Sequence, residues 1–259
     1  MDEPRWIALR DAAWRIVILA TFLGLWELTV ELGLVRDLWI SRPSKIGQWL
    51  WREVPSGKFM GHLWLTTKET LLGLALGSLA GLLTGFLLST SRRVYRILNP
   101  FIMVLYSLPR IALAPLFIVW FGIGEASKVA LAFSLVYFVM LFNTHEGVQS
   151  VRQELIGAVR TMGASRLFIY RRVIAPASVP FLVAGLRVSI GLALIGVIVG
   201  EMLAARGGLG QQLAQGASLF RTDAVMGIIA VLAVMALVAN SAMGLLERRL
   251  LHWRPGVEA

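Results

Sequence analysis

A chain of 259 residues that is 57% hydrophobic and only 15% charged has too little polar surface for a water-soluble domain, in which about a quarter of residues carry charge. It contains no cysteine, which excludes disulfides, thiolate catalysis and cysteine-held metals. Its net charge of +10 fits basic loops beside membrane spans rather than a nucleic-acid surface.

Met1–Asp11 is short and charged and lacks the small-residue cleavage site of a signal peptide, so it is read as retained. Ala12–Val35 is long enough for a first span. Glu27 inside it is either a functional intramembrane acid or a carboxylate facing protein or water near the outer end. Arg36–Gly61 is an outer segment in which Trp39, Trp49 and Trp51 cluster, with Trp64 just beyond. Tryptophan concentrates where an apolar ring and an N–H are both satisfied, at the bilayer interface. A helix is expected over Ile46–Val54, opened by Ser44 or a neighbour, as an interfacial anchor or a contact for an external partner.

His62–Thr90 holds the second span. Gly73, Gly77, Gly81 and Gly85 fall every fourth residue and so share nearly one helix face, which lets another backbone approach closely. That face serves either packing within one subunit or a seam that moves. Ser91–Asn99, with Arg92, Arg93 and Arg96, reads as a tight inner turn. Pro100–Phe121 is the third span, broken by Pro109 and Pro115 with Arg110 between them. Proline frees backbone carbonyls that protein or water must satisfy at membrane depth, so this span is a candidate wall of a solute path. Arg110 either attracts an anion or pairs with a carboxylate or carbonyl.

Gly122–Lys128 superficially resembles a phosphate loop. It lacks the glycine before the lysine and the hydroxyl residue after it, and is read as the outer turn before a fourth span, Val129–Gly147. Ser150–Pro180 is the longest basic interruption, carrying Arg152, Arg160, Arg166, Arg171 and Arg172. Ser150 and Gln153 fit a capping box, with Glu154 in the first turn. Leu155, Ala158, Val159 and Met162 recur at helical spacing. Gly163 ends this helix, a second is expected over Ser165–Val173, and Pro176 opens the next span.

Ala177–Glu201 is the fifth span. Arg187 lies about 16 Å along it and must snorkel, pair or face water. Glu201 closes the span near the outer surface, followed by a glycine-rich segment at Gly207, Gly208 and Gly210. Asp223–Leu246 is the sixth span, with Asn240 as its amide, and Glu247–Ala259 is a basic tail with Arg248, Arg249 and Arg254. With six spans, one side collects 14 Lys and Arg and the other 9, which puts both termini in the cytoplasm. His62, His145 and His252 are far apart, and no metal-ligand spacing or catalytic constellation is visible.

Three blocks carry a family resemblance. Gly157-Ala158-Val159, Gly163 and Val173-x-Ala175-Pro176 resemble the EAA loop of ABC-importer permeases, with Gly157 where the pattern has glutamate. Ser107–Lys128 and Gly200–Gly210 resemble the nitrate/sulfonate/taurine branch of that family. The resemblance implies an all-α integral membrane protein of the inner (plasma) membrane: a five-helix permease core preceded by an N-terminal span, with a cytoplasmic coupling loop at about residues 150–176. Residues 1–61 would form the N-terminal segment and first span, and 62–259 the permease core. The coupling residues would be Glu154, Gly157, Ala158, Val159, Gly163, Val173 and Pro176; Glu154 either partly replaces the missing glutamate or only stabilises the helix start. Pro109, Arg110, Pro115, Arg187 and Glu201 are candidates for the solute path. Implied partners are a second permease copy, two ATPase subunits that bind ATP and Mg, and an extracytoplasmic binding protein. This chain itself would bind no cofactor or metal. The alternative from the residues is an ion-gradient-driven secondary transporter, for which internal repeats and mid-span carboxylates would be expected.

Overall fold

The computed structural model describes residues 5–251. Among them there is no strand: eleven α-helices follow one another, α1 (Arg5–Glu31), α2 (Pro43–Glu53), α3 (Gly57–Ser89), α4 (Arg92–Ser107), α5 (Ala114–Phe121), α6 (Glu125–Gln149), α7 (Gln153–Thr161), α8 (Arg166–Ile169), α9 (Ala175–Leu203), α10 (Leu209–Ser218) and α11 (Thr222–Leu250). Five stretches are long and apolar enough to cross a bilayer. α4 and the segment Arg110–Phe121, bent by 74° at the Pro109 break, form either a sixth, broken span or a re-entrant loop. Arg254, His252 and the first four residues lie outside the described residues.

The chain divides into two compact units. One comprises the residues up to Gly61 together with Gln212–Leu232; the other comprises His62–Gln211 and the residues from Ala233 on. In the first, α1 exposes Ile16, Ile18, Leu19, Phe22, Leu25 and Leu28, an apolar surface that suits lipid rather than water. Near the end of α1, Glu27 accepts hydrogen bonds from the Ser44 amide (3.0 Å) and hydroxyl (2.6 Å). Ser44 therefore does not cap α2; Arg42 precedes the helix and Pro43 opens it. Of the tryptophans, Trp49 is buried against Phe59 with the ring centroids 5.8 Å apart, whereas Trp39 and Trp51 are exposed.

The second unit is built around α6. On one side the glycine face of α3 lies directly on it. A Cβ added at Gly73 would sit 2.5 Å from Ala132 Cβ, at Gly77 2.8 Å from Val136 Cβ, at Gly81 2.7 Å from Met140 Cβ and at Gly85 2.6 Å from Thr144 Cβ. Both rows advance by four residues, so the two helices mesh along their length. The same row also meets α9, where Ala132, Val136 and Met140 pack with Ala193 and Val197. Close approach recurs there, since a Cβ at Gly196 would lie 2.9 Å from Ala132 Cα.

Two local expectations need correction. Arg92–Asn99 is not a turn but the first half of α4, because the Ser91 side chain accepts from the Val94 amide and starts the helix there. Ser150 and Gln153 form no capping box. The Ser150 hydroxyl donates to Gly147 O at the end of α6, and α7 begins after Arg152 without a side-chain cap.

Candidate functional site

The basic segment between α6 and α9 is a helix pair. α7 ends in a Schellman turn: the Gly163 amide donates to Arg160 O (3.0 Å) and the Ala164 amide to Val159 O (3.3 Å), with Gly163 at φ +84, the left-handed conformation glycine adopts without a Cβ clash. Ser165 then caps α8 by accepting from the Phe168 amide (3.2 Å). A π-helical turn over Tyr170–Ile174 runs without a break into α9. Pro176 stands in the first turn of α9. It has no N–H to return to Arg172 O, and the widened turn accommodates the lost bond. The second half of the loop is thus a direct extension of a membrane span.

This pair has two faces. Val148, Val151, Ile169 and Ile174 form a buried cluster, with Ile156, Val159, Tyr170, Val173 and Phe86 packed on it. Leu155, Met162, Leu167 and Phe168 are exposed, Met162 to 85%. Of the seven loop residues singled out from the sequence, Val159 and Val173 face the cluster, and Gly163 and Pro176 shape the turns. Glu154, Gly157 and Ala158 are exposed. Glu154 pairs with Arg152 at 2.6 Å, and a Cβ at Gly157 would meet nothing within 4 Å.

The solute-path candidates do not come together. Arg110 donates to Ser134 O (3.2 Å) and Tyr106 O (3.4 Å), with its guanidinium over the Tyr106 and Phe138 rings. Of the alternatives open for it, the structure has the carbonyl pairing. Pro109 precedes the 3-10 turn Arg110–Leu113, and Pro115 lies in the first turn of α5. Arg187 of α9 pairs with Glu247 near the end of α11. Glu201 lies fourteen residues further along α9, about 21 Å away.

Glu201 belongs to a buried polar group at the far end of α6 and α9 from the helix pair. Three consecutive amides opening α10 each meet a side chain: Gly208 N–H donates to His62 Nδ1 (2.9 Å), Leu209 N–H to Thr66 Oγ1 (2.8 Å) and Gly210 N–H to Glu201 Oε2 (2.7 Å). The Thr66 hydroxyl donates to Glu201 Oε1 (2.7 Å). Gly208 sits at φ +101, and a Cβ there would collide with the Glu201 carboxylate. Beside this latch lie Glu69 and Lys128, 2% and 1% exposed. The Lys128 ammonium donates to Ile123 O and Gly124 O, so in the loop that resembled a phosphate cradle its lysine ties down its own turn. The sequence reading passed over Thr66, Glu69, His62 and Lys128 as functional residues. Charges at Glu69 and Lys128, inside or bordering long apolar runs, were the available signal.

An all-α chain with several apolar spans, a proline-broken segment and an exposed helix pair rooted in a span is built as a transport permease. The chain belongs to the family of binding-protein-dependent transport system inner membrane components, whose pattern matches residues 73–252. It is 31% identical over 243 residues to a putative aliphatic sulfonates transport permease of Bacillus subtilis (strain 168), covering 94% of this chain and 88% of that one. It is 31% identical over 259 residues to the taurine transport system permease of Escherichia coli (strain K12), covering 98% and 94%, and 35% identical over 196 residues to a formylaminopyrimidine transport permease of Halalkalibacterium halodurans, covering 76% and 78%. The fold is similar to the methionine ABC transporter MetNI in an inward-facing conformation, with a TM-score of 0.68 at 22% identity over 76% of this chain and 98% of that one. It is therefore a multi-pass inner-membrane permease, a transport component of an ABC importer, of the branch that includes the sulfonate and taurine permeases. Nothing found supports the ion-gradient-driven alternative.

Proposed function

We propose that two copies of this chain form the path for a small sulfonate-like organic solute, delivered by an extracytoplasmic binding protein and driven by two ATPase subunits docked on α7 and α8. The solute class rests on the sulfonate and taurine relatives. Both termini and the helix pair lie in the cytoplasm, as the Arg-rich loops favour. ATP and Mg are bound by the ATPases, and this chain contributes the moving path.

The observation that carries this reading is the division of the helix pair into a buried face and an exposed apolar one. Leu155, Met162, Leu167 and Phe168 stand exposed among arginines, where apolar surface calls for a protein partner. Their other face is fixed to Val148, Val151, Ile169 and Ile174. Because α8 continues through the π-helical turn into α9, a displacement of the docked surface is carried into a span.

The test uses the purified assembly in proteoliposomes. Phe168→Asp and Leu155→Asp, both at exposed positions, are expected to leave the permease folded while releasing the ATPase and abolishing uptake. Retention of the ATPase and normal uptake in both variants would overturn the assignment of the docking face.

A further inference from the structure

At the end of α6 nearest the helix pair, His145 is held between two other helices. Its ring stacks on the half-buried Tyr95 of α4, with the centroids 3.6 Å apart and the planes 13° from parallel. Its Nδ1 lies 2.8 Å from Ser89 Oγ at the end of α3, and Ser89 and His145 are both buried. The Ser89 hydroxyl already donates its one proton to Gly85 O at 2.6 Å. The imidazole must therefore be the donor in the second bond, which places a proton on Nδ1. A serine whose proton points away from the histidine is not activated as a nucleophile; this pair ties helices together.

The position of the contact in the fold gives it a role. Ser89 comes four residues after Gly85, the next place in the glycine row of α3, so the close-packed seam with α6 ends in this hydrogen bond. Ser134, Phe138, Phe142 and His145 share one stripe of α6 at spacings of four, four and three. Each meets the segment that carries the Pro109 break. Ser134 O accepts from Arg110 at 3.2 Å, Phe138 and Phe142 meet Tyr106 at centroid distances of 5.9 and 5.0 Å, and His145 meets Tyr95. Between these two ends, Ile97, Phe101 and Val104 of α4 are exposed. Phe86 and Val148, each three residues from Ser89 or His145 on the same helix, belong to the cluster under the helix pair. We propose that His145 is a positioning residue for transport: it clamps the α3–α4 corner to the base of the helix pair, so that a displacement of the pair reaches α4 and the Pro109 break as well as α9. The proposal rests on the reading of α7 and α8 as the ATPase-docking surface and adds a second route from that surface into the membrane. Imidazole suits the position because it offers a flat face to Tyr95 and an N–H to Ser89 together; phenylalanine keeps only the face.

Because the chain has no cysteine, single reporters can be placed on either route. Val104→Cys on α4 and Val188→Cys on α9, both at exposed positions, are labelled with an environment-sensitive fluorophore in the permease–ATPase assembly, and the signal is read with and without ATP and Mg. Both labels are expected to respond in the otherwise unchanged chain. His145→Phe and Tyr95→Leu are each expected to reduce the α4 response by roughly fivefold or more, the lower end of the range for coupling between sites, while the α9 response stays. Tyr95→Phe keeps the stack and is expected to match the unchanged chain. Tyr95 is half-buried, so its variants carry the test if His145→Phe does not fold. In protein labelled with 15N-histidine, the His145 signals, assigned by their loss in His145→Asn, are expected to show a proton on Nδ1 and to shift in Ser89→Ala. An α4 response unaltered in Tyr95→Leu, an α4 and α9 response that fall together in it, or a bare Nδ1 at His145 would overturn the proposal. An α9 label that responds in the unchanged chain while the α4 label does not would also overturn it and leave the docking reading standing. Failure of both labels to respond would overturn the docking reading itself.

Discussion

Gly81→Ala adds one methyl group at the tightest part of the α3–α6 seam. That carbon would lie 2.7 Å from Met140 Cβ and 3.0 Å from the Leu141 amide nitrogen, and against Tyr137 O. Carbon atoms rest about 3.5–4.0 Å apart, so the helices must part by roughly 1 Å. Two of the three neighbours are backbone, which cannot rotate away as a side-chain end can. A gap of that size also loosens the adjoining glycine contacts at Gly77 and Gly85, where a quarter to a half of each contact's dispersion energy is forfeited. Overpacking of this kind costs about 1–3 kcal/mol, and the better helix propensity of alanine returns about 1 kcal/mol. The net expectation is a loss of about 1 kcal/mol, or roughly 2–4 °C in melting temperature for a chain of this size. Gly157→Ala is the matched control: it is helical, exposed and meets nothing within 4 Å, so the same substitution is expected to stabilise α7 by up to about 1 kcal/mol. Thermal unfolding of both variants in detergent, followed by circular dichroism, reads the two effects. If Gly81→Ala melts at or above the wild-type temperature, the seam is not close-packed as described.

Thr66→Val keeps the shape of the side chain but strips the Leu209 amide and one Glu201 oxygen of their partner; a loss of about 2 kcal/mol or more is expected, with Thr66→Ser near wild type in the same melting assay. Ser165→Ala removes the cap of α8 and is expected to cost about 1 kcal/mol locally, seen as faster amide exchange at Phe168 with little change in the global melting temperature. Glu247→Arg alone leaves two cations facing each other where Arg187 now has its carboxylate; combining it with Arg187→Glu is expected to restore most of the lost stability, and an unrescued double variant would show that the pair contributes nothing.

Elements governed by local pattern were legible in the sequence. The spans follow from apolar length, and the breaks at Gly163 and Pro109 follow from residues whose backbone preferences are narrow. The every-fourth-residue glycines announce a contact face, but not that α6 fills it, because Val136 and Met140 carry no small-residue signature. Arg92–Asn99 was misread because three arginines suggest a water-exposed turn, whereas no residue there forbids a helix and Ser91 starts one. Ser150 was given to the wrong helix: its hydroxyl closes α6, and a capping box cannot tell the end of one helix from the start of the next. The latch was out of reach for a different reason. Thr66 and Glu201 are 135 residues apart, and nothing local to either shows that the amides of Gly208 to Gly210 will meet them. Glu69 and Lys128 could have been flagged as charges in or beside apolar runs, but not as neighbours.

The account stands on α7 and α8 carrying ATPase motion into the spans. Its most direct test is solute uptake into proteoliposomes containing this chain, the ATPase and the binding protein, with ATP supplied and all ion gradients collapsed by ionophores. The predicted result is full uptake that stops when ATP is withdrawn; uptake that survives without ATP and vanishes with the gradients would contradict it.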